Sequence, residues 1–253
     1  MNVARAYFSR KWFLTTVLVF VGTAICVRLG IWQLDRLEQR RLFNTHYLSV
    51  YNASPILLDA YPIDDITKNE YREVIVHGKF DPAHNMVLRN QYFDSQPGYF
   101  LLTPLVLSDG SAILIERGWI PLEGNEKPED WQKYNDINDL TIKGIIRQGS
   151  AKGEIGGISQ VDADEENFLH FWTIINLDRI SEQMPYKLVP VFVQPVSSEE
   201  NTSPPYPYQP KIEISEGPHI GYAIQWFFFA SLLFCGYPFF LKKQLSSDET
   251  DGK

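Results

Sequence analysis

The sequence predicts a membrane protein in which two transmembrane helices enclose an extracytoplasmic α+β domain dominated by an antiparallel β-sheet or barrel. Three observations predict it: apolar stretches near opposite ends of the 253-residue chain, a series of short β-branched and aromatic segments between them, and a charge contrast between that middle and the two ends. The organisation read from these is a cytoplasmic N-terminus (1–11), a first transmembrane helix (12–34), a helical stalk (35–54) and an extracytoplasmic β-rich domain (55–196). A Pro-rich tether (197–217), a second transmembrane helix (218–241) and a cytoplasmic tail (242–253) complete it.

The second apolar stretch carries no charge over 220–241. At 1.5 Å per residue such a helix reaches about 33 Å, enough for the roughly 30 Å hydrocarbon core of a bilayer. The first is uncharged over 12–27 and then carries Arg28, so it spans if Arg28 lies near an interface or faces a partner. Arg5, Arg10 and Lys11 precede the first stretch without an acid, and Lys242 and Lys243 follow the second. The positive-inside rule therefore puts both termini in the cytoplasm, and a bacterial inner membrane is the simplest address. A cleavable signal fits less well, because Thr23-Ala24-Ile25-Cys26 sets a bulky Ile where cleavage wants a small residue and the apolar pattern continues past it. A mitochondrial transit peptide fits poorly too, since only 11 residues precede the stretch.

Helix formers continue from Asp35 to Leu42, with neither Gly nor Pro until Pro55, which predicts the stalk. Strands are predicted at 73–80, 86–89, 99–107, 112–120, 140–147 and 188–196, each bounded by Gly, Pro or Asp. Asp109-Gly110 predicts a type I′ hairpin turn. One short helix is predicted from the Asn176 cap through Met184, stopped by Pro185. The segments 122–139, 150–167 and 197–211 read as loops. The last, with Pro204, Pro205, Pro207 and Pro210, reads as a stiff extended tether rather than a folded element.

Between Arg41 and His219 stand 14 Lys or Arg against 26 Asp or Glu, a net charge of −12, which argues against nucleic acid or an anionic lipid surface as the partner of this domain. The two cysteines, Cys26 and Cys235, both fall inside the apolar stretches at depths about 10 Å apart, too far for a disulfide. Enzyme signatures fail one by one. The Gly-rich segment 149–157 lacks the Gly-Lys-Ser/Thr end of a phosphate loop, and the Asp162, Asp164, Glu166 alternation has Asn167 where a calcium loop turns on Gly. His46, His77, His84 and His170 match no zinc spacing. The chain is therefore read as not an enzyme.

His219 stands apart. It follows Gly217-Pro218 and so opens the second membrane helix, where His219, Tyr222, Ala223 and Trp226 share a face with Gln225 beside it. Two readings of that face stand: an interfacial aromatic belt with a hydrated histidine, or a ligand or partner site. The first helix offers Arg28 and Trp32 one turn apart at similar depth, with Gln33 adjacent. An imidazole able to bind iron, an arginine able to pair with carboxylates and aromatics to cover a macrocycle are what a heme with propionates requires. Arg28 alternatively snorkels to headgroups.

Four blocks carry a family resemblance: 29–36 (Leu-Gly-Ile-Trp-Gln-Leu-Asp-Arg), Pro97-Gly98-Tyr99 through Thr103-Pro104-Leu105, Glu116-Arg117-Gly118-Trp119-Ile120-Pro121, and 217–227 (Gly-Pro-His-Ile-Gly-Tyr-Ala-Ile-Gln-Trp-Phe). In this order, with two spans, the chain resembles the surfeit locus protein 1 family, and its bacterial members in particular. The resemblance implies an assembly factor for heme-copper cytochrome c oxidase, acting where heme a is delivered to or stabilised in the catalytic subunit, with heme a synthase as a further partner beside membrane lipid. It implies His219 as the heme iron ligand; Trp32, Tyr222 and Trp226 would flank the macrocycle, and a propionate contact from Arg28 is added on grounds of depth. Arg117-Gly118-Trp119 reads as a structural turn, Gly giving a tight approach and Trp packing the sheet. The alternative is a membrane scaffold that holds the oxidase catalytic subunit without heme, which Gly22, Gly30, Gly221 and Gly236 fit equally well.

Overall fold

The computed structural model of the chain describes residues 6–136, 138–150, 168–197, 202–210 and 212–250. The Asp162, Asp164, Glu166 pattern and nearly all of the 150–167 loop fall outside them. The chain divides into two compact units: Tyr47–Ile212, and Met1–His46 with Glu213–Lys253.

The first of these units is built on strands β1 (Ile56–Leu57), β2 (Glu73–Phe80), β3 (Met86–Phe93), β4 (Gln96–Val106), β5 (Ala112–Pro121), β6 (Asp139–Arg147), β7 (Phe171–Trp172) and β8 (Leu188–Pro195). Among the described residues the hydrogen-bonded order runs β1-β2-β6-β8-β5-β4-β3-β7, and a further pairing joins β2 to β4. That pairing closes β2, β6, β8, β5 and β4 into a five-stranded barrel. The long strand β4 makes the closure: its 96–102 part pairs with β3 and its Leu105 and Val106 pair with β2.

The barrel is dominated by antiparallel pairs, as the sequence predicts, with one exception in the ring. Strand directions that alternate around a ring cannot close on an odd number of strands, so one neighbouring pair must be parallel. That pair is β5 with β8, while the other four contacts in the ring are antiparallel. The period of two along each strand sorts side chains between the barrel interior and its outer layer. Ile113 and Ile115 of β5 point inward with Val74, Val76, Leu105, Ile146, Val189, Val191 and Val193. Ala112 and Leu114 point outward under a second layer formed by Met86, Trp172, Leu177 and Ile180. This explains why Ala112-Ile113-Leu114-Ile115 is apolar at every position: both faces of β5 are covered.

Turn chemistry departs from the expectation in an informative way. At Asp109-Gly110 only Gly110 has positive φ (+81°), and Asp109 Oδ1 accepts from Ser111 N (2.9 Å) and Oγ (2.6 Å). The connection is thus a three-residue loop with a left-handed Gly, not a type I′ turn. The type I′ geometry occurs instead between β3 and β4, at Asp94 (φ 48°) and Ser95 (φ 64°), where the sequence offers no Gly to announce it.

The predicted loop over 122–139 is partly folded: a 3-10 helix, Pro128–Tyr134, carries Trp131 into full burial against Val87, Leu101 and Ile120. Trp131 Nε1 donates to Asn125 O at 3.0 Å, so the buried indole is satisfied. The short helix α2, Leu177–Glu182, has the predicted cap, Asn176 Oδ1 accepting from Arg179 N at 3.2 Å. Arg117-Gly118-Trp119 lies within β5 rather than in a turn, beside a bulge in the pairing with β4. Trp119 is 4 % exposed, as packing of the sheet requires. The extended Pro-rich segment is docked rather than free: Tyr206 exchanges backbone hydrogen bonds with Trp119 at 2.8 and 2.9 Å, and Tyr208 stacks on Phe100 with ring centroids 5.9 Å apart.

The other unit holds α1 (Phe13–Tyr51), whose C-terminal turns pass into the barrel unit, and α3 (His219–Thr250). Both are long and apolar enough to cross a membrane. α1 runs unbroken through the predicted stalk, and α3 continues beyond 241. The helices pack antiparallel: Trp12 meets Phe240 edge-on at 5.7 Å, the Thr16 and Tyr237 hydroxyls bond at 2.7 Å, and Phe20 meets Phe234 at 6.3 Å. Close approach is set at Gly30, where an added Cβ would sit 2.7 Å from the Phe227 ring. Cys26 is buried, Cys235 is exposed, and both are free thiols.

Candidate functional site

At one end of the helix pair, Gln33 of α1 lies buried on the packing seam and its Oε1 is 2.8 Å from His219 Nδ1. With Oε1 as acceptor, Nδ1 carries the proton and Nε2 the lone pair. No other hydrogen bond joins His219 to a described residue. Fixing one ring nitrogen through an acceptor so that the other is presented in a set direction is the usual arrangement of a metal-ligating histidine.

The backbone leading to His219 is held in place. Arg40 of α1 donates from Nε to Ser215 O (3.0 Å) and from Nη2 to Glu213 O (3.1 Å). Arg41 grips Glu216 with both edges, Nε to Oε1 at 2.8 Å and Nη2 to Oε2 at 2.9 Å, and this hydrogen bond holds the Glu216 carboxyl below its usual range. Gly217 then turns the chain at φ +68°, and Pro218 and His219 start α3. Neither Gln33 as the histidine's partner nor the Arg40 and Arg41 clamp is apparent from sequence spacing. The available signals are a glutamine inside an apolar run and an acid just ahead of the second stretch.

Of the remaining predicted site residues, Tyr222 and Trp226 lie beside His219 and Arg28 and Trp32 do not. The seam on α1 runs through Cys26, Gly30, Gln33 and Leu37. At about 100° per residue, Arg28 lies about 200° from Gly30 and projects from the opposite face. Trp32, 41 % exposed, stacks against its own neighbour Arg36, with 5.7 Å from guanidinium to ring. On α3 the seam runs through Ala223, Phe227 and Ala230. Tyr222 (48 % exposed) and the half-buried Trp226 flank it on one side, next to His219 on the helix surface. His219, Tyr222 and Trp226 therefore share a flank, whereas Arg28 and Trp32 face elsewhere.

The barrel contains its own buried polar chain. Glu116, 5 % exposed, accepts from Gln194 Nε2 at 2.9 Å, and Gln194 Oε1 accepts from Arg147 Nη1 at 3.3 Å. Burial pushes the Glu116 carboxyl up to about 7 despite these partners. Elsewhere Asp81 Oδ2 accepts from both His84 Nδ1 (2.6 Å) and the Tyr186 hydroxyl (3.0 Å), and burial beside Asp81 holds that phenol well above its usual range. No group of three or more His, Cys, Asp or Glu placed to hold a metal ion occurs among the described residues.

Two long apolar helices that present an oriented imidazole at His219, in one chain with a five-stranded barrel, define a class of barrel proteins with two apolar helices rather than any particular chemistry. The chain belongs to the SURF1 family, which it matches over residues 20–231. It is 24 % identical to a SURF1-like protein of Dictyostelium discoideum, covering 89 % of this chain and 96 % of that one. It is 22 % identical to Surfeit locus protein 1 of Arabidopsis thaliana, covering 86 % and 74 %. Over 42 % of this chain and 28 % of the relative it is 34 % identical to Cytochrome oxidase assembly protein SHY1 of Saccharomyces cerevisiae.

Proposed function

We propose that this chain is a membrane-anchored assembly factor for heme-copper cytochrome c oxidase, acting where heme a is delivered to, or held for, the catalytic subunit. Family membership and the relative named as a cytochrome oxidase assembly protein support the oxidase as client. The two apolar helices, with Lys11 ahead of the first and Lys242 just past the apolar part of the second, support an inner-membrane address with both termini cytoplasmic and the barrel extracytoplasmic.

The observation that carries the heme step is the Gln33–His219 hydrogen bond. It leaves Nε2 as the atom for heme iron, with Tyr222 and Trp226 beside it to lie along the macrocycle. One protein ligand suits a factor that must release its cargo, since the bond can be exchanged for the oxidase's own histidines. Arg28 and Trp32, on the other face of α1, suit contacts with the oxidase subunit or lipid headgroups better than with the same macrocycle.

A second reading, a scaffold that holds the catalytic subunit without heme, draws on the exposed apolar side chains along α3, among them Ile224, Phe228, Leu232 and Phe239. Cells carrying His219→Ala in place of the wild-type chain distinguish the two. The heme-handling role predicts that the variant still co-purifies with the oxidase catalytic subunit while the oxidase recovered lacks heme a. Oxidase of normal heme a content from these cells removes the ligand role of His219.

A further inference from the structure

At one mouth of the barrel, a cavity of about 450 Å³ opens between the ends of β2, β5, β6 and β8. Phe80, Ile115, Leu140, Ile142 and Val196 make its walls apolar, and Arg117 lines it with them. Arg117 is the extra residue at the bulge in the β4–β5 pairing, and it lines the recess beside Ile115, one step past the end of the apolar interior. Its guanidinium lies over the Phe80 ring, 4.5 Å from the centroid. That contact satisfies a face of the guanidinium and none of its five N–H donors.

No described residue accepts a hydrogen bond from Arg117, and Nη1 is shut off from solvent as well. Asp136 attracts it only from beyond ion-pair distance, and burial lowers its pKa to about 10. Lys143, the other cation in the wall, is already paired with Glu73 at 3.0 Å. The barrel thus keeps one partly buried, unpaired, fork-shaped cation in an apolar recess of the size that small ligands occupy. An unpaired cation there weakens the fold unless something brings a negative charge to it.

From this geometry we infer that the barrel mouth is a binding site for a small amphipathic carboxylate, its two oxygens on the Arg117 guanidinium and its hydrocarbon part against Phe80, Leu140 and Ile142. Planar carboxylates match the arginine fork with two parallel hydrogen bonds, which selects them over neutral apolar molecules of the same shape. The site lies wholly within the barrel unit and is independent of His219.

The test uses the full chain in lipid nanodiscs, titrated calorimetrically with 4-phenylbutyrate and with its neutral amide. The inference predicts saturable carboxylate binding with a Kd of about 1 mM or tighter. It also predicts that the amide, and the Arg117→Met variant with carboxylate, bind about tenfold more weakly or worse. Ile142→Trp, which fills the recess while leaving the charge in place, should block binding too and covers the case in which Arg117→Met folds poorly. Equal binding of carboxylate and amide, unchanged binding by either folded variant, or no saturable binding overturns the inference.

Discussion

Gly118→Ala is expected to destabilise the barrel unit by about 3 kcal/mol and to lower its midpoint of thermal unfolding by roughly 6–12 °C. Two independent costs combine at this position. Gly118 has φ +138°, where a Cβ is strained whatever its surroundings, and that Cβ would also sit 2.4 Å from the backbone of Tyr206. Relief requires lifting the Pro-rich segment off β5, which breaks the paired Trp119 and Tyr206 backbone bonds and the stack of Tyr206 on Trp119. Gly110→Ala is the control: φ is +81° but nothing lies within 4 Å of the added atom, so only the conformational cost of about 1 kcal/mol remains. Equal losses for the two variants, read from circular dichroism melts, would show that the close approach of Tyr206 contributes nothing.

Glu116→Gln is expected to change the pH dependence of stability. The Glu116 carboxyl has its pKa raised by burial from 4.5 to about 7 in the folded chain. Between those values the folded state holds a proton that the unfolded chain has released. The stability this confers is complete below about pH 4.5 and is lost as pH rises through about 7, a total of about 3 kcal/mol. Glutamine cannot ionise, and its amide oxygen can still accept from Gln194. The variant is therefore expected to match the wild type near pH 4.5 and to exceed its stability above pH 7.5 by as much as about 3 kcal/mol. Comparing the two proteins cancels other titrations, such as those of Asp109 and Glu216, whose lowered carboxyl values act in the opposite direction at acid pH. Parallel stability curves from pH 4.5 to 8 would mean that Glu116 is ionised in the folded barrel.

What the sequence reveals follows from what each signal measures. Period-two alternation marks β2 and β6 because one face of each is buried, and continuous apolarity marks β5 because both are. The parallel pairing of β5 with β8 is invisible to such local signals, since it follows from the number of strands in the ring. Trp131 was hidden in a polar stretch because a single buried side chain under a 3-10 helix leaves no periodicity, although Pro128 ahead of it offers a helix-start signal. The turn at Asp94-Ser95 has no such signal in the sequence, because both residues take positive φ without glycine.

For the candidate site, the position of His219 at the start of a helix was legible from Gly217-Pro218. Grouping Arg28 and Trp32 with it rested on depth alone. Depth fixes how far along a helix a residue lies, and the packing seam fixes which way it faces. That seam is set by Gly30 against Phe227 and by Gln33 against His219, contacts between residues some 190 positions apart in sequence.

The most direct test of the proposed heme step is the visible spectrum and pyridine-hemochrome composition of the full chain, purified in mild detergent from cells that make heme a, beside His219→Ala. Heme a bound to the wild type and lost from a variant that still inserts in the membrane is the result expected if His219 Nε2 is the ligand. A colourless wild type, or equal heme in both proteins, would contradict it.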